Sequence, residues 1–118
     1  MASVSVDEVV EALTAAADGL QSLDLGALTA REAMTLTRAV EVARRRIDAG
    51  AGRVAGHLDE TGKFGVDGHR NAKDALTYVG RLPSAESHAR VTTARRLKAL
   101  PRVAEAHARG EIATTTTA

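Results

Sequence analysis

Apolar residues recur every three or four positions along most of this chain, the spacing that gathers side chains on one side of an α-helix. Val6, Val9, Val10, Leu13, Ala16, Ala17 and Leu20 form the first such series. Ser5 and Glu8 precede it with capping-box spacing, so a first amphipathic helix is predicted, ending near Gly19 to Ser22. Leu23-Asp24-Leu25-Gly26 reads as a connection. Thr29 and Glu32 repeat the capping-box spacing, and Ala33, Leu36, Val40, Ala43, Ile47, Ala51, Val54 and Leu58 extend the apolar stripe behind them. A single helix from about Ala30 to Glu60 would be roughly 45 Å long. Helices of that length in small domains pack against an antiparallel neighbour or a second copy of the protein. Gly50, Gly52 and Gly56 interrupt it. They imply either a close helix crossing at Gly52 and Gly56 or a kink near Ala49 to Gly52, since each glycine weakens a helix interior.

Thr61-Gly62 has the form of a helix end with a left-handed cap, and Lys63 to Gly68 reads as a loop from which Phe64 and Val66 fold back onto the core. Asp67 is the expected N-cap of a helix from Gly68 to Val79, whose Ala72, Ala75, Leu76 and Val79 share one face. Gly80 ends that helix, and Ser84 caps the next, which runs to about Leu100. Pro101 opens a final short helix through Arg109, stopped at Gly110. Strand-like alternation is absent from the sequence. The expected fold is all-α: four or five helices, one long central helix, and a helix-turn-helix-like unit toward the C-terminus. A single domain over residues 1–112 and a disordered threonine tail over 113–118 complete this reading.

Composition narrows the picture. In 118 residues the apolar fraction of 44% comes mainly from Ala, Val and Leu, with Phe64 and Tyr78 the only aromatics. Alanine buries little area, so the core is expected to be thin and in need of help from a partner. With no cysteine, disulfides and thiolate metal sites are excluded. No basic region followed by an apolar run marks the amino terminus, and no apolar stretch is long enough for a bilayer. The expectation is a soluble cytoplasmic protein without a membrane partner. The net charge of +1 conceals an asymmetry. Residues 1–30 hold five acids and no base, whereas residues 81–110 hold seven bases against two acids. Such a basic segment suits phosphates, or the acidic leading helix of this chain or another.

Two helices joined by a short glycine-containing turn, the second basic, have the layout of a helix-turn-helix. At 100° per residue, Val91, Ala94 and Leu97 gather on one side of that second helix and His88, Thr92, Arg95 and Arg96 on much of the other. Those four are the candidate nucleic-acid contacts, with arginine binding phosphate or guanine edges and Thr92 a phosphate oxygen. The plainer alternative is a solvated polar face. Few aromatics are available for stacking, so double-stranded DNA is the expected ligand rather than a single strand. Arg44-Arg45-Arg46 point in three directions and read as a solvated helix flank. His57, His69, His88 and His107 are too scattered to suggest a metal. Asp59 and Glu60 diverge by about 100° on a helix and read as a solvated helix end rather than an acid/base pair. No catalytic residue, cofactor site or metal site is expected.

An ordered series of words carries a family resemblance: Leu58-Asp59-Glu60-Thr61-Gly62, Asp67-Gly68-His69-Arg70, Ala75-Leu76-Thr77-Tyr78-Val79, Leu82-Pro83-Ser84-Ala85-Glu86, Arg95-Arg96-Leu97-Lys98-Ala99-Leu100-Pro101 and Ala108-Arg109-Gly110-Glu111-Ile112. Together they resemble the actinobacterial domain of unknown function 222 (DUF 222) over about Thr29 to Ile112. The resemblance implies a region that commonly precedes an HNH endonuclease module. His69-Arg70-Asn71 is not that motif, whose residues are dispersed through a ββα-metal fold, so this chain is expected to be a non-enzymatic accessory. Family members continue with further helices where Ala113 begins the threonine tail, which makes the chain read as truncated. Two functions follow as expectations. In one, the basic helix binds or positions DNA; in the other, the acidic first helix and the long helix form a homodimer with no nucleic acid involved.

Overall fold

The computed structural model describes residues 3–98 and 100–110. Within them the chain is all-α, as its periodicity predicts. Helices α1 (Val6–Ser22), α2 (Ala30–Thr61), α3 (Ala72–Tyr78), α4 (Ser84–Lys98) and α5 (Pro101–Ala108) follow one another, with 3-10 turns at Leu25–Ala27 and Lys63–Asp67. The capping box of α2 forms in full, and that of α1 in part. The Glu8 amide donates to Ser5 Oγ at 3.2 Å. At the head of α2, the Glu32 amide donates to Thr29 Oγ1 at 3.0 Å and the Thr29 amide to Glu32 Oε1 at 2.9 Å, satisfying two orphan donors reciprocally.

The chain divides into two compact units, one reaching Leu36 and the other beginning at Thr37. In the first, α1 buries none of its residues. In the second, the apolar core consists of Ala49 and Ala55 on α2, Ala72 and Ala75 on α3, and Val91 on α4. Methyl groups therefore do most of the packing, and at ~25 cal/mol per Å² they supply far less than leucines would. Polar contacts share the task. Ser87, fully buried, meets the Thr77 hydroxyl at 3.0 Å, and this pair joins α3 to α4.

Helix α2 runs unbroken through Gly50, Gly52 and Gly56. Only Gly56 marks a close crossing: a Cβ built on it would lie 3.1 Å from the Ala94 Cβ of α4, while one on Gly52 would meet nothing within 4 Å. The absent side chain at Gly56 lets α4 approach α2 closely. Gly62 takes the left-handed conformation that its position after Thr61 predicts, with φ 74°.

Three local expectations need correction. Val66 does not fold back onto the core, being 87% exposed within the 3-10 turn, while Phe64 is half-buried. Asp67 does not cap α3: the turn through Asp67 delays the helix, and Asn71 takes the role, its side chain accepting from the Asp74 amide at 2.7 Å. Helix α4 begins at Ser84 itself, where that residue was expected to cap it from outside, and is described as far as Lys98.

After α5 the chain closes against α2. Gly110 is buried with φ 78°, a conformation that L side chains rarely adopt, and a Cβ there would lie 2.8 Å from Arg46 Cγ and 3.0 Å from the Val42 carbonyl. Arg45 Nε donates to the Gly110 carbonyl. One of the three successive arginines is thus a structural tie, whereas Arg44 pairs with Glu41 at 3.6 Å on the surface. The expected tail over 113–118 lies outside the described residues.

Candidate functional site

The four residues singled out on the basic helix do not present a common free surface. His88, Thr92 and Arg96 stand four residues apart and form one row along α4; His88 and Arg96 are exposed and Thr92 half-buried. Arg96 has no ion-pair partner among the described residues. Arg95 belongs to the adjacent row, which faces α2. Its Nε donates to Asp59 Oδ2 at 2.8 Å and its Nη2 to Asp59 Oδ1 at 2.7 Å. This is the two-pronged fork in which guanidinium and carboxylate planes match, the strongest geometry available to a surface pair.

The electrostatics follow from that fork. Hydrogen bonding from Arg95 lowers the Asp59 carboxyl below the ordinary aspartate range against a smaller opposing effect of desolvation, with the Arg95 and Lys98 charges adding to the lowering. Asp59 raises the Arg95 guanidinium in return. One turn further along, Lys98 is paired with Glu60. Nearer the start of α4, Arg90 reaches Asp48 of α2 at 3.7 Å and Glu86 at 3.6 Å. Helix α2 thus carries a ladder of carboxylates, Asp48, Asp59 and Glu60, facing three bases of α4.

Spacing along the chain concealed this ladder. Asp59 and Arg95 are 36 positions apart, and the adjacency of Asp59 with Glu60 reads locally as a polar helix end. A usable signal existed: bases at positions 95 and 98 lie on one side of a helix. The local charge excess of residues 81–110 is accordingly much reduced once α2 is in place.

His57 and His107 line one groove, but among the described residues no group of three or more His, Asp or Glu side chains comes together as a metal site would require. Lys63 Nζ donates to His57 Nε2 at 2.8 Å, so that nitrogen accepts. His69 Nδ1 lies 3.4 Å from Asp74 Oδ2, and its ring stacks on Tyr78 with centroids 6.1 Å apart. His88 faces solvent, and His107 is buried on α5.

Apolar side chains are exposed on α1. Val6 is 78% exposed, and Val9, Val10, Leu13 and Leu20 lie between 45% and 56%. No described helix is long and apolar enough to cross a membrane.

No curated protein and no solved structure matches the chain. The family model described as a domain of unknown function, DUF222, matches residues 34–118, starting a few positions after Thr29 and running on through the threonine tail. Since that match takes in the glycine crossing, the carboxylate ladder and helices α3 to α5, and well over half of the sequence, the chain belongs to the DUF222 family.

Proposed function

We propose that the chain is a non-catalytic helical module that works by self-association, an accessory in the HNH-endonuclease setting that the family resemblance implies. The observation that carries this reading is the apolar stripe of α1, exposed along its whole length. Contiguous apolar surface of that kind marks an interaction site in a soluble protein, because removing it from water is worth ~25 cal/mol per Å². The alanine-rich core supports the same reading, since a domain with so little apolar burial gains from a partner. The test is the mass of the full chain in solution by sedimentation equilibrium. The expected result is twice the mass of one chain, with Leu13→Asp shifting it to a monomer of unchanged helicity. A wild-type monomer at high micromolar concentration refutes the reading.

One observation favours a second reading, binding of double-stranded DNA through α4. His88, Thr92 and Arg96 form an outward row, and Arg96 keeps its charge unpaired among the described residues. In this reading Arg96 contacts phosphate while Arg95 sets the position of α4 through Asp59. Duplex affinity then falls steeply with salt, because bound cations displace condensed counterions, and Arg96→Ala flattens the slope. Equal binding by Arg96→Ala removes this reading.

A further inference from the structure

Along α2, Arg46, Arg53 and Glu60 are seven residues apart and form one row, with Ala49, Gly52 and Gly56 in the strip beside it. That strip floors a groove of about 420 Å³, walled by Ala94 and Leu97 of α4 and by Ala104 and His107 of α5. Sites for small molecules have the same size, ~300–1,000 Å³, and the same lining, mostly apolar with a few polar groups at the edge. At Ala108 the groove meets a recess of about 290 Å³ between Arg46 and Arg53; Ala49, Arg53 and Ala108 line both. The floor holds room that the chain does not fill. Gly52 is buried in the groove, yet a Cβ there would meet nothing within 4 Å, and the same holds for Gly50 in the recess. Glycine weakens a helix interior and folded chains pack without voids, so the packing of this unit gives no reason for either residue. An occupant supplies one.

The charges along the groove describe that occupant. At the recess, Arg46 and Arg53 are exposed and have no ion-pair partner among the described residues, and no described carboxylate lines it. Two guanidiniums suit a phosphate, whose oxygens can accept from both forks at once. At the other end Glu60 is neutralised by Lys98, and this pair and His57 offer hydrogen-bonding groups to a polar edge. A fatty acid is a poor match, because its tail would end among those polar groups. From the midpoint of Arg46 and Arg53 to that of Gly52 and Gly56 is roughly 7 Å along α2 at 1.5 Å per residue, a separation that phosphate and base can span within one nucleotide. We infer that the groove binds a nucleoside monophosphate, with its phosphate held by Arg46 and Arg53 and its base over Gly52, the polar edge of the base toward His57 and the Glu60–Lys98 pair. The site uses no residue of α1 and none of the His88, Thr92 and Arg96 row, so it goes beyond both readings above.

Isothermal titration calorimetry of the full chain with AMP, CMP, GMP and UMP tests the assignment, with the parent nucleosides, inorganic phosphate and a duplex oligonucleotide as comparisons. At least one monophosphate is expected to bind at least about tenfold more tightly than its own nucleoside and than inorganic phosphate, since a hydrogen bond to a charged group is worth that much. Arg46→Gln/Arg53→Gln is expected to abolish the preference over the nucleoside. Gly52→Leu, which fills the floor, is expected to weaken the monophosphate by a similar factor while far-UV circular dichroism stays as in wild type. If the leucine lowers helicity, Gly52→Ala carries the test with a smaller loss, because its Cβ has open space. Monophosphates that bind no better than inorganic phosphate, or a Gly52 variant with full affinity, overturn the site. Duplex binding that depends on Arg46 and Arg53 while no monophosphate binds also overturns it, and makes the arginine row a surface for a polyanion.

Discussion

In α1 the acids Asp7, Glu11 and Asp18 lie across the helix from exposed valines and leucines and have no ion-pair partner among the described residues. In α4 the bases Arg90, Arg95 and Lys98 are each met by a carboxylate. Both helices are conspicuous in a tally of charge along the sequence, yet only the acidic one leaves its charge and its apolar side open. A run of bases is a candidate polyanion surface only after subtracting those that the fold itself neutralises, and on α4 that subtraction leaves chiefly Arg96 in the row with His88 and Thr92.

The largest effect comes from separating α4 from the carboxylates that neutralise it. Gly56 permits the approach, with Ala94 Cβ only 3.1 Å from where a Cβ would stand. Gly56→Leu is expected to destabilise the second unit by about 2 kcal/mol, the usual cost of forcing extra methylenes into a closed contact. Gly56→Ala is expected to be near neutral, because the gain of about 1 kcal/mol in helix propensity offsets the crowding. Chemical denaturation followed by far-UV circular dichroism measures both. A leucine variant as stable as wild type would show that the two helices can part without penalty, and the contrast between α1 and α4 would lose its structural cause.

A smaller change sharpens the comparison from inside α4. Thr93 is buried, and its hydroxyl has no hydrogen-bond partner among the described residues. Thr93→Val keeps the β-branched shape and removes the unsatisfied group, so it is expected to stabilise the second unit by about 1 kcal/mol. Destabilisation in the same denaturation measurement would mean that the hydroxyl is satisfied in solution.

Much of the fold was legible because it is local. The boundaries of α1 and α2 follow from N-cap residues and apolar spacing, and both N-caps form. The start of α3 was misplaced because Asp67 and Asn71 are both capable caps, and the 3-10 turn over Lys63–Asp67 decides between them. The candidate site was legible only in part. His88 and Arg96 are exposed as their spacing predicts, but Arg95 is held by a residue far away in sequence, and helical periodicity carries no information about which row of one helix meets which row of another.

The most delicate test acts on the fork itself. Asp59→Asn keeps the shape of the side chain but removes the charge that engages Arg95, and because the pair is exposed on the arginine side its loss is expected to cost little stability. The sign of the pH dependence is fixed by the direction of the Asp59 shift. Its carboxyl is lowered in the folded chain, so the fork contributes fully above the ordinary aspartate range and is lost as pH falls through the lowered value. Wild type is therefore expected to lose this increment on acidification below about pH 4, and Asp59→Asn to show a shallower acid limb. The same substitution releases the Arg95 guanidinium, so any duplex-DNA affinity of α4 is expected to rise as stability falls. If affinity and acid limb both match wild type, the fork does not hold Arg95 in solution, and α4 would be as open as α1.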